Sequence, residues 1–264
     1  MQIVTEPFTK YLERSKTHLT SGLLRAYMRD PYIYSLMQQG QLEHEETAAL
    51  SVGSALHCLV LEGREAYGER FFTGGPINPT TGKAFGRDSQ KFKDWATQSE
   101  QQGRTYLSED EMDMLTLMGE AIHCHKEAGR IVKSHKLRER TIINDVDGVP
   151  CQVRLDAMSL KDHTFVELKT CQSLDHFHYD IGKYGYHLQH AFYGIVSGYS
   201  SPNAIVAVEK SQPHRVGVWH IPHDAVTTEA VRLAIQNIKK GEFTGKYEKI
   251  QEWKNYNYKE QNNE

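Results

Sequence analysis

The stretch from Glu139 to Thr170, ERTIINDVDGVPCQVRLDAMSLKDHTFVELKT, constrains the fold more than any other part of the chain. It reads as three consecutive strands, joined by tight turns at Asp147-Gly148 and at Lys161-Asp162-His163, where Asp and Gly supply the turn chemistry. Beyond it the pattern predicts a helix from about Tyr179 to Gly198, the strands NAIVAVEK and RVGVWHIP, and a helix from about His223 to Lys240. A meander, a helix, two more strands and a last helix predict an α/β (or α+β) core with a mixed sheet.

The part before Glu139 reads as helical. In HLTSGLLRAYMRDPYIYSLM, Thr20 or Ser21 can cap a helix whose Leu23, Leu24, Tyr27 and Met28 share one side. A second helix is expected from near Ser51, with Val52, Leu56, Leu59, Val60 and Tyr67 close to a helical period, and a further one from about Ser108 to Ser134. Between them GGPINPTTGKAFG breaks the periodicity, and Lys83, Arg87, Lys91 and Lys93 make the region locally basic. The chain therefore reads as a single domain: a mainly helical part over 1–135 with a mobile segment at about 74–90, a mixed-sheet core over 136–245, and a polar tail over 246–264.

With 264 residues, 39% of them hydrophobic and 25% charged, the chain is long enough for a core without staples and is neither fibrous nor disordered. No apolar run reaches the ~18 to 20 residues of a membrane span. The opening MQIVTEPFTKYLER shows no basic region followed by an apolar stretch, so a cytoplasmic location is expected. Cysteines at 58, 124, 151 and 171 form no CxxC pair, which argues for reduced thiols over a zinc ribbon or a disulfide scaffold. The net charge of −3 gives no overall basic footprint for nucleic acid, although one channel can be basic on an acidic protein.

The chemistry concentrates in Arg154-Leu155-Asp156 and Val166-Glu167-Leu168-Lys169. Side chains alternate along a strand, so Glu167 and Lys169 share a face that Val166 and Leu168 do not. If the turn at 161–163 pairs the two strands, Asp156 lies beside Glu167, and two close carboxylates repel unless a cation lies between them. Hard oxygen ligands suit Mg²⁺ or Mn²⁺. A cation with an adjacent lysine is the equipment that phosphodiester hydrolysis needs: an activated water and positive charge for the transition state. An exposed hairpin with ordinary charges is the alternative, though the middle of so strand-like a segment is a poor place for a solvated edge.

Asp156, then Glu167-Leu168-Lys169, then Gln189-x-x-x-Tyr193 resembles the PD-(D/E)XK nuclease superfamily, in the branch with a QxxxY motif. More narrowly, the chain is similar to the RecE (exonuclease VIII) nuclease-domain family and its phage relatives, themselves similar in activity to phage lambda exonuclease. The segments that carry this are LTSGLLRAYMRDPYIY, VGSALHCLVLE, INPTTGKAF, RLDAM, VELKT and GYHLQHAFY, in order over about residues 18 to 200. Leu155 stands where the superfamily has its proline.

The resemblance implies that Asp156, Glu167 and the Leu168 carbonyl ligate metal, that Lys169 is the catalytic lysine, and that His57 lies at the metal. A packed core histidine is the other reading of His57. Glu139 would be a supporting acid for a second metal or a water. Gln189 and Tyr193, four apart on a helix, share a face and can reach the site or the DNA backbone; without the family they read as a half-buried polar face. Two readings stay open for Arg154, a phosphate contact or a structural salt bridge. Arg25 matches in placement the basic residue that relatives use near a terminal 5′-phosphate.

The implied activity is Mg²⁺-dependent 5′-to-3′ exonuclease action on linear duplex DNA, leaving a 3′ single strand for annealing recombination in a bacterial or phage-infected cell. The implied partners are DNA ends, further copies in a trimeric or tetrameric ring, and a RecT-like annealing protein. An iron–sulfur branch shares these motifs but holds its cluster with cysteines mostly after the core, and none follows Cys171, so no cluster is expected. His176, His178, His187 and His190 offer a weaker zinc or iron alternative without a metal-binding motif. An endonuclease of the same superfamily and an idle DNA-end-binding protein remain the competing functions.

Overall fold

A computed structural model of the chain describes residues 1–42, 48–100, 103–199, 203–241 and 243. The polar tail read over 246–264 lies outside the described residues. The helical part opens with strand β1 (Gln2–Val4) and helices α1 (Phe8–Arg14), α2 (Ser21–Arg29) and α3 (Pro31–Gln38). Next come α4 (Ala48–His57), running directly into a π-helical turn over Cys58–Glu62, then α5 (Arg64–Arg70), β2 (Phe71–Phe72), α6 (Gln90–Glu100), β3 (Thr105–Tyr106), α7 (Glu109–Cys124) and α8 (Lys126–Ser134). The core follows as β4 (Leu137–Val146), β5 (Val149–Ser159), β6 (Thr164–Cys171), α9 (Phe177–Lys183), α10 (Tyr186–Ser197), β7 (Asn203–Glu209), β8 (Val216–Ile221) and α11 (Ala225–Lys240). Among the described residues no helix is long and apolar enough to cross a membrane.

Six strands form one mixed sheet in the order β1-β4-β5-β6-β7-β8. The meander β4-β5-β6 is antiparallel, and β6 pairs parallel with β7 because α9 and α10 carry the chain back between them. Two cores cover the sheet. In one, Val166, Leu168, Val206 and Val208 pack under α4, α7 and α8 through Leu56, Leu115, Met118 and Ile131. In the other, Ile142, Val153, Leu155, Met158 and Phe165 meet α2, α10 and α11 through Leu24, Phe192, Val196 and Ile235.

Three helices read as continuous are each broken. The one expected from near Ser51 through Tyr67 passes into the π turn and breaks at Gly63, whose φ is 96°. The one expected over 108–134 starts from a Ser108–Glu111 capping box but ends at Cys124, and His125, extended at ψ 123, recaps the chain by accepting the Ala128 N–H. Gly129 makes the break possible, since a Cβ there would sit 2.5 Å from the His123 carbonyl oxygen. The one expected from Tyr179 starts at Phe177 and breaks at Gly185, whose φ of 66° lies in the left-handed region that glycine adopts freely. Thr20, not Ser21, caps α2, and α4 begins at Ala48 rather than near Ser51. Within the segment around 74–90 the chain folds back on itself, bridging Ile77 to Ala84.

Candidate active site

The site forms where the β5–β6 ladder stops. The pairing runs through Ser159–Thr164, Met158–Phe165 and Ala157–Val166 and goes no further. A continuing ladder would occupy the Leu168 N–H; here that N–H donates to Asp156 Oδ2 at 2.7 Å. The strands splay, and farther along β5 its free edge is taken by Leu19, which bridges to Cys151. The gap leaves Asp156, from β5, beside Glu167 and Lys169, from β6.

A second irregularity brings in β4. Leu137 and Ile142 are five residues apart, so strict alternation sends them to opposite faces, yet both pack in the same core. The reset falls at Glu139, whose φ of 48° is rare for a side-chain-bearing residue. In β5, Leu155 and Met158, three apart, likewise share that core. The pairs Arg138–Ala157 and Arg140–Leu155 bracket Glu139 and Asp156, which therefore face one another.

His57 closes the group from the end of α4, where the helix passes into its π turn. Its Nε2 lies 2.7 Å from the Leu168 carbonyl oxygen, which only accepts, so Nε2 carries the proton. Its Nδ1 lies 3.4 Å from Asp156 Oδ1. One ligand atom each from His57, Glu139 and Asp156 lies within 4.8 Å of the others. Glu167, 1% exposed, accepts Lys169 Nζ at 2.9 Å and Gln189 Nε2 at 3.1 Å, both on Oε2. Gln189 also donates to the Tyr193 hydroxyl at 2.7 Å. Glu167 Oε1 is buried and has no hydrogen-bond partner among the described residues.

The electrostatics follow from this crowding. Burial disfavours a charged His57, but the Asp156 carboxylate outweighs it and lifts the imidazole to about 9. Burial likewise pushes Asp156 up, and His57, with Lys169 and the Leu168 N–H, brings it below the ordinary carboxylate value. Glu167 goes the other way, pushed up to about 7 by burial and then by Asp156, with Lys169 opposing. Lys169 is disfavoured as a cation by burial but held above its ordinary value by Glu167 and Asp156. Glu139 is raised by burial and by Asp156 against the pull of His57 and Arg154. The carboxylates of Glu139 and Asp156 with His57, and Glu167 beside them with its Oε1 short of a partner, fit a divalent cation that prefers oxygen ligands.

Over residues 33–258 the chain matches the family described as a PDDEXK-like domain of unknown function (DUF3799). It belongs to this PDDEXK-like family. Among solved structures, a candidate exonuclease from Eubacterium rectale shares the fold with a TM-score of 0.55 at 15% identity, over 91% of this chain and 85% of that one. A phage-related exonuclease from Haemophilus somnus covers 76% of this chain and 95% of its own at 12% identity, with a TM-score of 0.36, below the level at which a fold is shared. No curated protein matches.

The PDDEXK-like site opens into a cleft of about 840 Å³ whose wall includes Arg70, Arg138, Arg140 and Arg154. Arg154 makes the structural salt bridge, its Nε 2.8 Å from Glu139 Oε2 while Nη1 donates to the Glu6 carbonyl, and it also lines the cleft. Arg25 lies away from that wall, with Nη1 donating to the Tyr184 carbonyl at 2.6 Å. Sequence reasoning missed Arg70, Arg138 and Arg140 as cleft residues. The signal for two of them was positive charge directly flanking the candidate acid Glu139, although strict alternation would turn them to the opposite face. Arg70 gives no sequence signal, because it faces the cleft from the end of a helix far away in the chain.

Proposed function

We propose that this chain is a divalent-cation-dependent 5′-to-3′ exodeoxyribonuclease that resects linear duplex DNA and leaves a 3′ single strand for annealing. The observation that carries the hydrolytic reading is the convergence of Asp156, Glu167 and Lys169 at the splayed strand pair, with Glu167 Oε1 buried and without a hydrogen-bond partner among the described residues. Exonuclease action, polarity and the annealing context rest on the resemblance to the RecE family; the description of the Eubacterium rectale protein as a candidate exonuclease is in keeping with the first of these.

In this reading Asp156, Glu167, the Leu168 carbonyl, His57 and Glu139 are the groups that would hold Mg²⁺ or Mn²⁺. Such an ion supplies a Lewis acid and an acidified water. Lys169, kept cationic by two carboxylates, stabilises negative charge on the phosphate in the transition state. Gln189 fixes the Glu167 carboxylate, and Tyr193 fixes Gln189, so the acid does not have to reorganise during reaction. Arg154 meets the strand from the cleft wall while orienting Glu139. The whole chain works as one nuclease domain, assembled as a trimeric or tetrameric ring around DNA and paired with a RecT-like annealing protein.

The deciding experiment is incubation with Mg²⁺ of linear duplex labelled at the 5′ or the 3′ end, beside a covalently closed circle, with EDTA as control. Early mononucleotide release from the 5′ label with the circle intact is expected. Cutting of the circle would make the protein an endonuclease, and no cleavage under any metal an end-binding module.

A further inference from the structure

Next to Lys169, and outside the lining of the described cleft, lies a second run of groups. Lys169 Nζ sits 5.4 Å from the centre of the Tyr186 ring. The Tyr184 ring follows at 5.8 Å from Tyr186, tilted by 36°. Lys183 Nζ lies 5.2 Å from the Tyr184 ring, at the surface. The order is cation, ring, ring, cation, leading from the site outward.

The backbone is built to present this run. Gly185, in the left-handed conformation, separates α9 from α10 and sets the two tyrosines on either side of a sharp turn. The turn is pinned by Arg25, which holds the Tyr184 carbonyl and packs so close to Gly185 that a Cβ there would meet the Arg25 stem at 3.1 Å. Tyr186 is backed by Phe177, with ring centres 6.0 Å apart. Tyr184 is 48% exposed, so its ring adds little to the core, yet its backbone is held by Arg25. A half-exposed ring beside a cation matches the chemistry of unpaired nucleic acid, in which bases offer π faces and phosphates take the positive charge.

We infer that Tyr184, Tyr186 and Lys183 form a track for a single DNA strand running to or from Lys169, with bases stacking on the two rings and a phosphate meeting Lys183. The inference rests on the nuclease reading above and extends it to which form of DNA touches this side of the site. Duplex is a poorer fit, because its bases are already stacked on one another.

The test is fluorescence anisotropy of the full chain with a fluorescein-labelled oligodeoxythymidine in EDTA, where cleavage is blocked. Tyr184→Ala is expected to weaken binding about 10-fold, and Tyr184→Phe and Tyr184→Trp to stay within about 2-fold of wild type, since stacking needs the ring and not the hydroxyl. Lys183→Ala should flatten the dependence of affinity on salt by roughly one counterion. Photo-cross-linking of a 5-iodouracil strand should map to Tyr184 or Tyr186. Equal affinity of Tyr184→Ala and wild type overturns the track; if wild type still degrades end-labelled duplex, the nuclease reading survives alone. Wild type that binds no single strand also overturns the track.

Discussion

Two buried glutamates on neighbouring strands of one sheet have opposite fates. Glu209, on β7, is 3% exposed, and each of its oxygens is used: Oε1 accepts the Leu174 N–H and Arg215 Nη2, and Oε2 accepts Arg215 Nε. The Arg215 bonds hold its carboxyl below the ordinary value. Glu167, on β6, lies deeper in the protein and keeps one oxygen without a hydrogen-bond partner among the described residues, and burial with Asp156 nearby drives it up to about 7. A buried acid with both oxygens bonded is a structural element. One left short of partners is a candidate ligand site.

The comparison breaks most visibly in activity. Lys169→Ala should lower single-turnover cleavage by about 10³-fold or more, with duplex binding largely kept, since electrostatic stabilisation of the transition state is lost. Arg215→Ala, which strips the other glutamate of its cation, should leave the cleavage rate within about 2-fold at temperatures where it is folded. Equal losses in both variants would mean that the two pairs do the same job.

Stability against pH separates them next. With EDTA present, Glu209→Gln should cost about 2 kcal/mol at pH 7, because a charge-assisted bond is lost. That cost should shrink as pH falls below the ordinary 4.5, since a depressed acid contributes stability above its unfolded value and loses it on protonation. Glu167→Gln should do the reverse. A raised acid binds its proton more tightly folded than unfolded, so the metal-free wild type loses stability between about 4.5 and 7, and the variant should gain on it by about 3 kcal/mol across that window. Chemical denaturation at pH 4 and pH 7 reads both signs, and parallel curves would sink the contrast.

Smaller effects sharpen the picture. Arg154→Met removes the ion-pair partner of Glu139 and should cost about 1 to 2 kcal/mol in the metal-free protein. Added Mn²⁺ should recover part of it, and no recovery would put Glu139 outside the metal group. His190 is 4% exposed with neither ring nitrogen bonded, and burial pushes it down to about 3, so it is a neutral unsatisfied group. His190→Leu should leave stability unchanged or raise it by up to about 1 kcal/mol. A clear loss would reveal a partner for that ring.

Much of this site was legible as local pattern. The two-residue period of Val166–Lys169 predicts that Glu167 and Lys169 share a face, and their side chains meet at 2.9 Å. The four-residue spacing of Gln189 and Tyr193 predicts one helix face, and they bond at 2.7 Å. The turns at 147–148 and 161–163 follow from Asp and Gly, and β4, β5 and β6 end and begin there. Such features depend on residues a few positions apart, and the chain encodes them directly.

What the tertiary structure alone decided is where regularity stops. Nothing local marks Ala157–Val166 as the last rung of a ladder, Glu139 as the point where alternation resets, or His57 as the residue that meets the Leu168 carbonyl from 111 positions away. Nor does a helical period show that the chain breaks at His125 and at Gly185, since one break needs Gly129 to admit the His123 carbonyl and the other a turn pinned by Arg25. The sequence by itself determined the strand meander, the carboxylates and the lysine, because periodicity and turn chemistry are short-range. The splay that turns them into a cleft was decided by packing, because a hydrogen-bond ladder ends only where distant neighbours compete for its groups.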